Sequence, residues 1–254
     1  MLGLKDKLFV VTGGAGGIGQ AIATRIAEFG GRVLIADLER DPGEAVAAAI
    51  RSATGGDVRF RQLDVTDPDA AKALADSVEA EIGPVQGLVT AAGIGIPSDA
   101  LDHSVELWRK TFAVNVEGTF FPIQAFARHM VGRNASIVTI ASICASVVVS
   151  PERHVAYGAS KAAVKHMTAL LGVEWARKGI RVNGVAPNHT DTPILKKFKE
   201  TDPVIYETWR DKIPLGRLSE PGEIAGAVVF LLSDLSTNMC GETIHADGGC
   251  SKAF

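Results

Sequence analysis

The sequence has few cysteines and no large excess of charge of either sign. Its three cysteines, Cys144, Cys240 and Cys250, lie far apart and have neither the spacing of a metal site nor that of a redox-active dithiol. We therefore expect free, unreactive thiols in a reducing cytoplasm. The formal net charge of -3 gives no reason to expect a nucleic acid or an anionic membrane surface as a partner.

Long hydrophobic runs are also missing. No apolar run reaches about 18 residues, so the sequence predicts no membrane-spanning helix. Near its start, Lys5, Asp6 and Lys7 interrupt the apolar residues, so we expect no signal peptide. The 254 residues, of which 46% are hydrophobic and 22% charged, suit a globular protein with a substantial core. Because no shift in composition marks a boundary, we predict one domain over residues 1–254.

Short apolar runs alternate with helix-like segments along the chain. The predicted strands are residues 8–12, 32–37, 58–63, 87–90, 136–141, 181–186 and 242–246. Strands separated by helices indicate βαβ units. The sequence therefore predicts a doubly wound, Rossmann-type α/β domain, with a parallel sheet of about seven strands between helices on both faces. Pro122 lies in the helical pattern of residues 104–130 and predicts a kink or break near residues 118–122, since proline lacks the N–H donor.

A glycine-rich segment, residues 12–19, connects the first predicted strand with the first predicted helix. Both G-x-G-x-x-G and T-G-x-x-x-G-x-G fit it. Glycines let a backbone approach a pyrophosphate, and the following helix N-terminus offers free N–H groups. The alternative is a flexible loop without a ligand. Because the segment lies directly between a strand and a helix, we predict a dinucleotide site. Its predicted members are Gly13, Gly17, Ile18 and Gly19.

Acidic residues end the second and third predicted strands. Asp37 lies where a carboxylate accepts hydrogen bonds from the adenosine ribose and repels a 2′-phosphate. Leu38 follows it, and residues 12–19 contain no Lys or Arg, so the sequence predicts NAD rather than NADP. Asp64 and Val65 are predicted to lie near the adenine. A capped or solvated turn is the alternative for both aspartates.

Tyr157 and Lys161 are four residues apart in a helix-like segment, which places both side chains on one helix face. A neighbouring ammonium favours the phenolate, so we expect Lys161 to lower the pKa of Tyr157 from its ordinary value of about 10. Such a phenol can exchange protons near neutral pH. The spacing is common by chance on solvated helices, but downstream of a dinucleotide turn it indicates an acid/base pair.

Together these motifs resemble the short-chain dehydrogenase/reductase family. The glycine turn and the Y-x-x-x-K segment match its two signatures. Asn115 lies in an N-V-x-G segment, and Ser142 ends a predicted strand, as the family's catalytic serine does. Residues 187–193 are similar to its P-G-x-x-x-T-P segment, and the Asp-Gly-Gly at 247–249 is also typical. The motifs follow the expected order over nearly the whole chain.

The resemblance implies an NAD-dependent oxidoreductase that transfers a hydride between nicotinamide and a secondary alcohol or ketone. Tyr157 would be the general acid/base, Lys161 would lower its pKa and hold the nicotinamide ribose, and Ser142 would bind the substrate oxygen. Asn115 would anchor a water that connects Lys161 to solvent. A strand-end cap is the alternative for Ser142, and an ordinary helix amide for Asn115. Further cofactor contacts are expected from Ala91, Ala92, Gly93, Pro187, Thr190 and Thr192.

The sequence departs from the family pattern in three places. Residues 90–93 read T-A-A-G instead of N-N-A-G, which puts local rigidity in doubt. Asn188 replaces the usual glycine, and Asn tolerates a positive φ better than most residues. Ser142 and Tyr157 are 15 positions apart, longer than the family pattern, so we expect residues 150–154 to border the substrate. His154 is a candidate substrate contact; a solvated loop histidine is the alternative.

Residues 190–216 contain no predicted strand and are expected to form a substrate lid. Their apolar side chains, which include Leu195, Ile194 and Phe198, suggest a partly apolar substrate with a carbonyl or hydroxyl group; the nearby lysines are expected on a solvated helix face. The resemblance also implies a homotetramer, built on helices around residues 104–130 and 157–177, with a dimer as the alternative.

Two other functions stay open at this point. One is the reduction of 3-oxoacyl thioesters, which would more typically use NADP and which Asp37 argues against. The other is a nucleotide-sensing interaction protein that has kept the fold and lost turnover. The intact set of Ser142, Tyr157 and Lys161 argues against that reading.

Overall fold

The computed structural model describes residues 2–253, except for the side chains of Ile194 and Phe198. Its sheet consists of β1 (Leu8–Thr12), β2 (Arg32–Asp37), β3 (Val58–Gln62), β4 (Val85–Thr90), β5 (Ala135–Ile140), β6 (Ile180–Pro187) and β7 (Thr243–Ala246). The helices are α1 (Gly17–Glu28), α2 (Arg40–Thr54), α3 (Pro68–Glu81), α4 (Val105–Phe112), α5 (Gly118–Met130), α6 (Val155–Trp175), α7 (Pro193–Thr201), α8 (Pro203–Asp211) and α9 (Pro221–Leu232). Within residues 2–253 no helix combines the length and the apolar character that crossing a bilayer requires.

The seven strands form one all-parallel sheet in the order β3-β2-β1-β4-β5-β6-β7. Alternate residues of β1 point to opposite faces, as the period of two requires. Phe9 and Val11 pack in the hydrophobic cluster that includes α1 and α9, whereas Leu8 and Val10 pack in the cluster that includes α3 and α5. Helices therefore cover both faces, and the predicted doubly wound, Rossmann-type α/β domain is confirmed.

The strand order reverses between β1 and β4, and this reversal positions the site. The chain builds outward from β1 to β3, then crosses to the other side of β1 and continues from β4 to β7. In open α/β sheets a crevice forms at such a switch point, at the carboxyl ends of the strands. Thr12 and Thr90, the last residues of β1 and β4, are register partners there. The glycine-rich turn leaves the sheet at this point.

The long helical pattern breaks slightly upstream of its predicted position. A π-helical turn at Ala113–Glu117 separates α4 from α5, whereas the break was expected near residues 118–122. Pro122 lies buried inside α5, four residues after its start. Its missing N–H therefore affects only the first turn of that helix. The wider π turn carries Asn115, a residue of the candidate site.

Two helix-interior glycines test this packing. A Cβ on Gly43 in α2 would lie 2.0 Å from Cε2 of the buried Phe60. A Cβ on Gly226 in α9 would have no neighbouring atom of the described residues within 4 Å, apart from its own helix backbone and adjacent residues. Alanine is favoured over glycine in a helix by roughly 0.5–1 kcal/mol. We predict that Gly226→Ala raises the free energy of unfolding by about that amount, and that Gly43→Ala lowers it by about 1–3 kcal/mol through overpacking. Urea unfolding monitored by circular dichroism measures both changes, and equal effects would contradict the packing described.

Candidate active site

A cleft of about 810 Å³ lies at the carboxyl edge of the sheet. It brings together three of the four predicted catalytic residues, two of which were also predicted to bind the cofactor, five further predicted cofactor residues and both predicted substrate residues. These are Ser142, Tyr157 and Lys161; Ile18, Ala91, Gly93, Pro187 and Thr192; and His154 and Leu195. Motifs that are distant in the sequence therefore share one cavity.

The end of β5 and the start of α6 position the polar centre of the cleft. Lys161 is 4% exposed, and its Nζ donates a hydrogen bond to the carbonyl oxygen of Ile140, the last residue of β5, at 2.8 Å. The same Nζ lies 5.8 Å from the centroid of the Tyr157 ring. Ser142 follows β5 directly, and its Oγ accepts a hydrogen bond from the Cys144 N–H at 3.2 Å. One strand end and one helix face thus hold all three side chains.

Burial dominates the acid–base properties of this centre. It raises the pKa of Tyr157 to about 12, with a further rise from Cys144, while a hydrogen bond with Ser142 acts in the opposite direction. Burial also lowers the pKa of Lys161 to about 8. The expectation that the Lys161 ammonium lowers the pKa of Tyr157 is therefore wrong for this structure. The cost of desolvating the phenolate is the largest effect on the Tyr157 pKa, so Tyr157 is a neutral phenol at pH 7.

Asn115 connects the loop after β4 to α6. Its side chain is fully buried; Oδ1 accepts a hydrogen bond from the Ile94 N–H at 2.8 Å, and Nδ2 donates to the Ile94 carbonyl and to Ser160 Oγ, each at 2.9 Å. Ser160 Oγ donates in turn to the Tyr157 carbonyl at 2.7 Å. Asn115 thus fixes the segment that presents Tyr157 and is more than an ordinary helix amide. Its water-anchoring role stays a prediction.

The glycine turn has the features of an anion-binding cradle. Gly13 has a φ of 65°, and a Cβ there would lie 2.5 Å from the Ala92 nitrogen, so only glycine fits against the loop after β4. Gly16 precedes α1 and, within the described residues, supplies no side-chain cap; the first turn of α1 also contains no acidic residue. The first N–H groups of α1 therefore keep free hydrogen-bonding capacity and a partial positive charge. Since a pyrophosphate requires both, the turn fits a dinucleotide.

Asp37 stands across the glycine turn at the end of β2. Its Oδ2 accepts a hydrogen bond from the Ala15 N–H at 2.9 Å, and its Oδ1 accepts one from the Leu38 N–H at 2.7 Å. These bonds fix the carboxylate next to the turn and leave acceptor positions on both oxygens. On the other side, Thr192 Cγ2 would lie 3.3 Å from a Cβ on Gly17, so the segment after β6 covers the turn.

Nine predicted cofactor residues are not among the described residues that line the cavity: Gly13, Gly17, Gly19, Asp37 and Ala92 around the glycine turn, and Leu38, Asp64, Val65 and Thr190. Asp64 is exposed, and its Oδ1 accepts hydrogen bonds from the N–H and Oγ1 of Thr66, at 2.9 and 2.7 Å, as a turn residue does. Val65 and Thr190 are buried, and Leu38 is 56% exposed. The contacts of all nine with a cofactor stay predictions.

Sequence reasoning missed a polar pair in the same cleft. The Glu152 side chain is 8% exposed, and its Oε1 lies 3.1 Å from His189 Nε2. The His189 ring stacks on Trp209, with the ring centroids 4.4 Å apart and the planes 15° from parallel. Residues 150–154 were expected to border the substrate, but His154 was singled out there. An acidic residue in that segment was the available signal, whereas His189 carried none.

Comparisons with known proteins agree with this geometry. A family model described as Enoyl-(Acyl carrier protein) reductase matches residues 13–251. The chain is 39% identical over 240 residues to galactitol 2-dehydrogenase (L-tagatose-forming) of Cereibacter sphaeroides, which covers 94% of this chain and 92% of that protein. It is 37% identical over 251 residues to the NADP-dependent (R)-specific alcohol dehydrogenase of Lentilactobacillus kefiri, covering 97% of each chain.

A solved structure shows the same likeness in three dimensions. A short-chain type dehydrogenase/reductase from Mycobacterium marinum superimposes with a TM-score of 0.90 at 34% identity, covering 97% of this chain and 96% of that one.

The hydrogen bonds of Asn115 give a prediction about stability. Asn115→Leu removes the partners of two Ile94 backbone groups and of Ser160 Oγ, and each unsatisfied buried group costs about 1–3 kcal/mol. We expect the free energy of unfolding to fall by about 2–5 kcal/mol in guanidinium titrations. Asn238, which is exposed, supplies the matched control, and Asn238→Ala should change it by less than about 0.5 kcal/mol. Similar losses in the two variants would contradict the bridging role.

Proposed function

The chain belongs to the short-chain dehydrogenase/reductase family, and we propose that it is an NAD(H)-dependent oxidoreductase that interconverts a secondary alcohol and a ketone. The observation that carries the proposal is the convergence of Ser142, Tyr157 and Lys161 in one cleft at the switch point of the sheet. Close to them lies a turn whose free N–H groups suit a pyrophosphate.

Each side chain has a chemical task in this proposal. Bound nicotinamide would supply or accept the hydride, which is chemistry that no side chain offers. Tyr157 gives a proton to the carbonyl oxygen in reduction and removes one from the hydroxyl in oxidation. Ser142 Oγ already accepts a hydrogen bond from the Cys144 N–H, so its own O–H can donate to the substrate oxygen. Lys161 holds the ribose hydroxyls of the nicotinamide half.

The protonation state of Tyr157 gives the two directions different requirements. A phenol with a pKa of about 12 is protonated at neutral pH and is ready to act as the acid in carbonyl reduction. Alcohol oxidation needs the phenolate, whose fraction grows as pH rises toward that pKa. The proposed enzyme therefore reduces ketones without any prior proton loss, and it oxidises alcohols more readily in alkaline solution.

The preference for NAD over NADP rests on Asp37. Its carboxylate is held next to the glycine turn by two backbone N–H groups, where it can accept bonds from ribose hydroxyls and repel a 2′-phosphate. The Lentilactobacillus relative carries NADP in its name, so this preference belongs to the chain's own residues and not to the family.

The rival functions receive less support. Reduction of a 3-oxoacyl thioester would more typically use NADP, which Asp37 disfavours. The description of the matching family model names an enoyl reductase, which reduces a carbon–carbon double bond and not a ketone. A sensing protein without turnover has no need of Ser142, Tyr157 and Lys161 together in one cleft.

Assembly, lid and location belong to the same proposal. We infer a homotetramer in which α6 packs across a two-fold axis, because Leu170 and Val173 on that helix are 58% and 80% exposed in the single chain.

Residues 190–216, which contain α7 and α8, would form the substrate lid over the single domain of residues 1–254. The three free cysteines fit a reducing, cytoplasmic location.

Turnover of Tyr157→Phe tests the proposed chemistry. Wild-type protein should form NADH from secondary alcohols in the presence of NAD⁺, and less readily form NADPH from NADP⁺. Loss of the phenolic proton should lower kcat by about 10²–10⁴-fold while NADH affinity, measured by fluorescence titration, stays unchanged. Tyr206→Phe is the comparison variant: it removes the chain's other phenol, which lies in the proposed lid and is not among the described residues lining the cleft, and it should lower kcat far less than Tyr157→Phe. Near-normal kcat in Tyr157→Phe would exclude Tyr157 as the acid/base.

A further inference from the structure

The cleft contains a carboxylate–imidazole pair that the proposed hydride-transfer chemistry leaves unused. Glu152 and His189 both line the cavity, and their side chains are 8% and 18% exposed. Burial acts to raise the pKa of Glu152, but the hydrogen bond from His189 and an interaction with Trp209 bring it below its ordinary value. Glu152 is therefore an anion at neutral pH, inside a cavity that would close around a small substrate.

The pair is held rigidly. His189 Nε2 meets Glu152 Oε1 at 3.1 Å, and Nδ1 meets Asn188 Oδ1 at 3.0 Å. The face of the His189 ring stacks on Trp209, which is 6% exposed. A group held by a hydrogen bond and a stacking contact loses little entropy when it binds a ligand, which is the property of a preorganised site.

Glu152 keeps capacity for further hydrogen bonds. A carboxylate offers about four acceptor positions and no donor. His189 and Trp209 together account for part of that capacity. Because Glu152 lines the cavity, the remaining positions can accept hydrogen bonds from a ligand there, and a buried anion without such donors is costly.

The pair also lies near the reacting centre. The charge of Glu152 contributes to raising the pKa of the Cys144 thiol, and the Cys144 N–H binds Ser142 Oγ. The His154 ring, which also lines the cleft, lies 5.8 Å from the Tyr157 ring, centroid to centroid. A molecule whose reacting oxygen met Ser142 and Tyr157 would lie in the same cavity that Glu152 lines.

We propose that Glu152, held in place by His189, binds a second hydroxyl group of the substrate and that the substrate is therefore an uncharged polyol. The inference rests on the proposed alcohol–ketone chemistry and adds its substrate class. A polyol supplies the O–H donors that the carboxylate lacks. A simple alcohol supplies no second O–H for the remaining acceptor positions of the Glu152 carboxylate, which a site built for hydrogen bonding disfavours strongly. An anionic sugar acid meets like charge, so the pair selects against it as well.

Steady-state kinetics on three substrate types tests the assignment. The substrates are a panel of C4–C6 alditols that includes galactitol, the monoalcohol cyclohexanol, and the anion gluconate, each with NAD⁺ and with NADP⁺. Wild-type protein should prefer its best alditol to cyclohexanol by more than about tenfold in kcat/KM. Glu152→Gln keeps the shape of the side chain and removes its charge. It should lower kcat/KM for that alditol by about 10–100-fold and change kcat/KM for cyclohexanol by less than about threefold. The ratio of kcat/KM for gluconate to kcat/KM for the alditol should rise.

The controls separate a local effect from a general one. Glu44→Gln neutralises an exposed carboxylate on α2 and should leave kcat/KM for all three substrates unchanged. NADH affinity and the melting temperature of Glu152→Gln report whether that variant folds, and the wild-type preference needs no variant. If Glu152→Gln lowered kcat/KM equally for the alditol and for cyclohexanol, or lowered it for neither, the proposed role of Glu152 would be overturned. Wild-type activity on cyclohexanol without activity on any alditol would overturn the polyol class and leave the oxidoreductase intact. No turnover of any alcohol or ketone would overturn both.

Discussion

The site depends on a half-buried phenol and a buried ammonium that lie on one face of α6, next to the end of β5. Lys161 is 4% exposed and donates to the Ile140 carbonyl at 2.8 Å, which fixes α6 against the sheet edge. The same exclusion of water raises the pKa of Tyr157 to about 12 and lowers that of Lys161 to about 8. Both groups are thus shifted toward their neutral forms, and the site is built around a protonated acid.

The surrounding fold maintains this arrangement from two directions. From one side, the buried amide of Asn115 connects Ile94 with Ser160 and so holds the loop after β4 against α6. From the other, Gly13 lets the turn after β1 lie directly against Ala92. The reversal of the strand order between β1 and β4 brings the Asn115 contacts and the glycine turn to one crevice. The network is mostly side chain to backbone, which makes it sensitive to the position of each loop.

Much of the fold and of the site could be predicted from the sequence, because the pattern of apolar residues and the order of the motifs can be read along the chain. The alternation of strands and helices predicted the sheet. Tyr157 and Lys161 were identified by their spacing, and Ser142 by the family resemblance of its position after a predicted strand. Properties that depend on burial could not be obtained in this way. A spacing of four residues places Lys161 next to Tyr157 but says nothing about water, so the direction of the Tyr157 pKa was wrong. Glu152 and His189 meet across 37 positions, and only the folded chain brings them together.

The state of the Tyr157 phenol in the free protein is the most direct test of this account. The chain has two tyrosines, so protein labelled with ¹³C at tyrosine Cζ gives two resonances, and Tyr157→Phe assigns them. The account predicts that the Tyr157 resonance keeps the chemical shift of a neutral phenol beyond the ordinary pKa of about 10 and titrates near the value of about 12 that burial imposes. A midpoint at or below about 10 would contradict the claim that burial, rather than the neighbouring ammonium, controls the acid.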